Sequence, residues 1–136
     1  MKYLVDANVL SEPTKPAPDS RAVEWLRQNE REIAIDPIVL GELRFGILLL
    51  PPGERRARLE QWFDVGATRL RCLPWEAETG LKWAELLARL RASGRAMAIK
   101  DSLITATALV HDLVVATRNR AAFENAGVRV VDPFTS

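Results

Sequence analysis

Short apolar runs bounded by turn-forming residues alternate along this chain with longer stretches whose apolar positions recur at helical spacing. The short runs lie at residues 2–5, 32–35, 71–73, 113–116 and 128–131, and each reads as a buried strand. Between them the spacing predicts helices. One is capped by Asp19 or Ser20 and runs to about residue 29, with Val23 and Leu26 inward. A second starts at Pro37, a favoured first helical residue, and runs to about residue 50, where Pro51, Pro52 and Gly53 stop it. Leu59, Trp62, Phe63, Gly66 and Leu70 mark a third helix. A fourth spans residues 76–92 and turns Leu81, Ala84, Leu87 and Ala88 inward. A fifth covers 102–111, and a short one at 121–125 ends at Gly127, a fitting C′ glycine. Asp6, Ala7 and Asn8 read as a turn.

Strands alternating with helices predict an α/β fold with a central parallel sheet of four to five strands and helices on both faces. The 136 residues fit one domain, 1–136, with no repeat, linker or low-complexity tract. In such sheets ligands sit beyond the carboxyl ends of the strands. Polar residues directly after apolar strands are therefore the first candidates for chemistry.

Composition narrows the function classes. A hydrophobic share of 48% and a charged share of 27% are those of an ordinary globular protein. One cysteine, Cys72, permits no internal disulfide and suits a reducing cytoplasm. The apolar run after Lys2 is cut by Asp6, too soon for a signal peptide, and no run approaches the ~18 apolar residues of a membrane span. The net charge of +1 hides arginine clusters at Arg55, Arg56 and Arg58, at Arg69 and Arg71, and at Arg89, Arg91 and Arg95. These suit either a nucleic-acid backbone or solvated helix faces paired with glutamates.

Asp6 follows the first strand directly. Glu42 emerges from a helix face lined by Ile38, Val39, Phe45, Gly46 and Leu49, so it needs a cation, a proton or an arginine such as Arg44. Asp101 stands at the start of the fifth helix as an N-cap or a ligand. Thr117 and Asn119 follow the strand at 113–116 and could bond a phosphate or a metal-bound water. Hard oxygen donors suit magnesium or manganese, whereas the single His111 and Cys72 offer no zinc cluster and read as structural.

Several of these segments carry a family resemblance. Val5-Asp6-Ala7-Asn8-Val9-Leu10-Ser11-Glu12 resembles the opening of PIN-domain toxins of the VapC type. Glu42-Leu43-Arg44-Phe45-Gly46-Ile47 is similar to their first acidic helix, and the segment from Ile99 through Asp101 to Ala108 to their "DxLIAATA" stretch. Thr117-Arg118-Asn119 and Pro133-Phe134 complete the match. The resemblance implies a PIN-like domain with a helical clip, and a metal-dependent endoribonuclease holding Mg2+ or Mn2+ at Asp6, Glu42 and Asp101. It assigns a supporting catalytic role to Thr117 and Asn119. It also implies an RNA substrate, a homodimer and a cognate VapB-like antitoxin, which would dock near the Glu42 helix and the clip between residues 52 and 94 and allow larger toxin–antitoxin assemblies. One position departs: the family's fourth acid, three residues after the asparagine, is Ala122 here. Glu124 lies roughly 200° away on a helix and is a poor substitute. A binding-only module with weakened catalysis is thus the alternative. A phosphotransfer domain is disfavoured, because the first strand is followed by no "DxDx[TV]" motif.

Overall fold

The computed structural model describes residues 1–135; the last residue of the predicted domain, Ser136, lies outside them. Five strands form one parallel sheet: β1 (Tyr3–Val5), β2 (Ile33–Ile35), β3 (Arg71–Cys72), β4 (Val114–Ala116) and β5 (Val130–Val131). Their spatial order is β3-β2-β1-β4-β5. The chain thus builds outward from β1 to one edge, then returns to the other side of β1 with β4 and β5. Val5 stands beside Ala116, and Ile35 beside Cys72. Leu4, Val5, Ala34, Ile35, Val115 and Ala116 are fully buried, as strands covered on both faces require.

Six helices flank the sheet: α1 (Ala7–Leu10), α2 (Ser20–Gln28), α3 (Pro37–Leu48), α4 (Glu54–Val65), α5 (Ala77–Ala92) and α6 (Ile99–His111). Several begin as the sequence predicts. Asp19 caps α2 through the amides of Arg21 and Ala22, and Pro37 opens α3 behind an Asp36 cap. Gly127 adopts φ +83°, open to glycine at little cost.

Other expectations fail at the level of helix faces. Residues 7–10 form a helix rather than a turn, because the Asp6 side chain accepts from the Ala7 amide and caps it. In α2 the buried residues are Ala22 and Trp25, with Val23 and Leu26 only half-buried; Trp25 stacks edge-on against Tyr3 of β1. In α5, Leu81, Ala84 and Ala88 face solvent. Its inner face is Thr79, Leu86 and Leu90, with Trp83 donating to Ser102 Oγ of α6 at 2.9 Å. Leu81 and Leu86 both fit a helical stripe, and only the position of α6 decides between the two. In α4 the helix ends at Val65, so Leu70 lies beyond it.

Candidate active site at the carboxyl edge of the sheet

The residues following β2, β1 and β4 are Asp36, Asp6 and Thr117, so adjacent strand ends place them in a row. Asp6 is 2% exposed. Its Oδ1 accepts from the Ala7 amide at 2.8 Å, and its Oδ2 from the Thr117 hydroxyl at 2.9 Å and Asn8 Nδ2 at 3.4 Å. The contact with Thr117 crosses the junction between β1 and β4, where the connectivity reverses direction. That is the topological switch point at which open α/β sheets bind ligands.

Asn8 clasps this junction. Its amide nitrogen also reaches Thr117 Oγ1 at 3.3 Å, and its amide oxygen accepts from the Arg118 backbone at 3.1 Å. Thr117 Oγ1 in turn accepts from the Asn119 backbone at 3.1 Å. Asn119 itself is exposed. Sequence reasoning took Asn8 for a turn former; its place two residues after the strand-end aspartate was the available signal.

Helices α3 and α6 bring the other acids. Asp101 lies within the first turn of α6, where Ala98 occupies the cap position, so it is not the predicted N-cap. It is 8% exposed. Burial is the main cause that lifts its carboxyl above the ordinary aspartate pKa. Lys100 pulls it down, and Asp6 and Glu42 push it up again. Glu42 does not pair with Arg44, which approaches Glu60 at 4.0 Å instead. Its Oε2 accepts from Lys100 Nζ at 2.9 Å, while its Oε1 is buried and has no hydrogen-bond partner. Burial works against the Lys100 charge. The Glu42 hydrogen bond and the pull of Asp6, Glu42 and Asp101 outweigh it and raise the lysine pKa.

A further buried acid escaped sequence reasoning. Asp36, which read as a strand stop, is fully buried. It accepts from the Ile38 amide at 2.8 Å, from Trp75 Nε1 at 3.2 Å and from the Thr107 hydroxyl. It therefore ties α3, which carries Glu42, to α6, which carries Asp101.

Among the described residues, no three acidic, histidine or cysteine side chains stand close enough to cage a metal ion as they are placed. The Lys100 ammonium occupies the ground between Glu42 and Asp101, 3.8 Å from the latter. The donor chemistry nonetheless fits a hard divalent cation. The nearby donors are carboxylates without a soft ligand, one buried oxygen lacks a hydrogen-bond partner, and the Asp101 carboxyl is raised chiefly by burial.

The model of the PIN domain family matches residues 3–128. The chain belongs to the PIN-domain family. A VapC ribonuclease (Y4jK) of Sinorhizobium fredii is 33% identical over 135 residues, covering 96% of each chain. Toxin FitB of Neisseria gonorrhoeae is 34% identical, covering 96% of this chain and 97% of its own. The solved structure of FitAB bound to an IR36 DNA fragment superposes with a TM-score of 0.92 at 31% identity, over 98% of this chain and 96% of that one. The resemblance to VapC-type toxins thus holds at family level.

Within this PIN domain, the surroundings of Asp101 show what the alanine at 122 leaves behind. A cavity of about 460 Å³ opens there, walled by Ala98, Ala121 and Ala122 and rimmed by Arg95, Glu124 and Asn125. Residues 120–122 form a 3-10 turn rather than an α-helix, and Asn125 has φ +69°. The helical rotation expected for Glu124 therefore does not apply, and it borders the same cavity as Asp101. The arginine clusters also divide. Arg89 donates to the carbonyl of Ala126 at 2.7 Å, and Arg56 bonds Glu60 and the Leu50 carbonyl, so both are structural. Arg69 and Arg71 line a groove with Met1 and Ile33 at the amino ends of the strands, opposite the acids. Arg118, stacked over Phe134 with 4.5 Å between guanidinium and ring centroid, stays at the carboxyl edge.

Proposed function

We propose that the protein is a metal-dependent endoribonuclease and the toxin of a type II toxin–antitoxin pair, hydrolysing RNA phosphodiester bonds at Asp6, Glu42 and Asp101. One observation carries this reading: Glu42 of α3 and Asp101 of α6 flank the Lys100 ammonium near Asp6, the residue that follows β1 at the switch point of the sheet, and one buried carboxylate oxygen, Glu42 Oε1, has no hydrogen-bond partner. The relatives named as ribonucleases support it.

Asp6 and Asp101 would hold Mg2+ or Mn2+ directly, and Glu42 through water. Bound there, the ion supplies Lewis-acid polarisation of the phosphate and an acidified water. The protein's part is positioning. The Thr117 hydroxyl and the Ala7 amide hold the Asp6 carboxylate in a single orientation. Glu42, ion-paired to Lys100 at 2.9 Å, would accept a hydrogen bond from the attacking water and orient it. Asn119, exposed beside Thr117, and Arg118 offer donors to the RNA backbone.

The antitoxin partner, VapB-like by the company of toxin–antitoxin complexes that share this fold, would cover α3 beside the clip formed by α4 and α5. There Phe45, Leu48 and Leu49 are exposed. A homodimer and a cytoplasmic setting belong to the same reading; no described helix is long and apolar enough to cross a membrane. A second reading, a binding-only module, draws on Ala121 and Ala122, which put no ligand beside Asp101.

Cleavage of a mixed RNA pool by antitoxin-free protein decides between them. With Mg2+ or Mn2+ the wild type should cut, chelator should stop it, and Asp101→Asn should lose activity on the order of a hundredfold or more. Folded wild type that binds metal yet leaves RNA intact would favour the binding-only module.

A further inference from the structure

The acidic cluster already contains a cation. Lys100 Nζ is 2.9 Å from Glu42 Oε2 and 3.8 Å from Asp101 Oδ1, and Asp6, Glu42 and Asp101 all act on its charge. Lysine carries a compact point charge on a flexible four-carbon stem, so it can serve two acids from different helices. Three carboxylates and one ammonium leave two net negative charges, which one divalent ion balances. Beyond Asp101 the cavity is lined by Ala98, Ala121 and Ala122, with Glu124 and Asn125 as the other side chains there that carry an oxygen.

We propose that Lys100 is a resident second cation: it pins Glu42 and closes the cluster to a second divalent ion, so that the site takes one, at Asp6 and Asp101. The inference rests on the metal-dependent reading above. It makes Lys100 a positioning residue for Glu42. It also explains how acids from two helices remain together without an ion, since each carboxylate of an uncompensated trio would repel the others.

Calorimetric titration of Mn2+ into the RNA-free protein tests this without recourse to activity. Wild type and Lys100→Arg should each bind one ion per chain. Lys100→Met should bind its first ion about tenfold more tightly or better, because the neighbouring like charge is gone, and should accept a second. Lys100→Gln, neutral but polar, is titrated beside it in case the methionine variant does not fold. Two ions in the wild type overturn the inference, as does a neutral variant with one ion and an unchanged Kd. Absence of Mn2+ binding in every protein would instead defeat the metal-dependent reading and the inference with it.

Discussion

At the scale of the residue, Asp101, a proposed metal ligand, is an acid held against its own stability. Its carboxyl is raised chiefly by burial, and Asp6 and Glu42 add repulsion that Lys100 only partly offsets. A raised acid costs stability above its folded pKa, and that cost disappears as the pH falls through it. Metal-free Asp101→Asn should therefore melt at a higher temperature than wild type near pH 7, with the difference closing in acid. Thermal melts in chelator across pH check the sign. A variant less stable at neutral pH would mean that the Lys100 attraction dominates. At this scale the sequence was informative about position: Asp6 meets Thr117 at one strand edge with Asn119 beside it, and Glu42 and Asp101 stand either side of Lys100. It could not show the clasp of Asn8 on Thr117 or the pairing of Lys100 with Glu42, because those partners lie 109 and 58 residues away.

At the scale of the element, Asp36 connects α3 to α6 and thereby sets Glu42 relative to Asp101. Asp36→Ala removes the α3 N-cap, worth about 1 kcal/mol. It also removes the acceptor of the half-buried Trp75 N–H, at up to about 1–3 kcal/mol, while Thr107 falls back on the Leu103 carbonyl. Denaturant unfolding should show a loss of about 3 kcal/mol; a loss below about 1 kcal/mol would reduce Asp36 to a simple strand end. The α5 face shows where periodicity runs out. Leu81 and Leu86 are both leucines at plausible helical spacing, yet Leu81 is 70% exposed and Leu86 is buried. A helix with apolar residues on two sides does not specify which side its neighbour takes.

At the scale of the whole molecule, that ambiguity has a counterpart on α3, where Phe45 is 61% and Leu49 68% exposed. Surface residues of this kind add little to the stability of a lone chain and much to an interface. Phe45→Glu with Leu49→Glu should abolish co-purification with the co-expressed cognate antitoxin, with unfolding free energy unchanged within about 0.5 kcal/mol per substitution. Retained co-purification would move the antitoxin's seat elsewhere. The sequence by itself determined the alternation of strands and helices, the capped start of α2, the Pro37 start of α3 and the acids at strand and helix ends, because these follow from local periodicity and backbone preferences. Only the tertiary structure decided the strand order that makes β1 and β4 neighbours, the inward face of α5, the burial of Asp36 and the pairing of Lys100 with Glu42. Each of those depends on which distant segment comes to lie alongside, and local pattern leaves that choice open until the core closes.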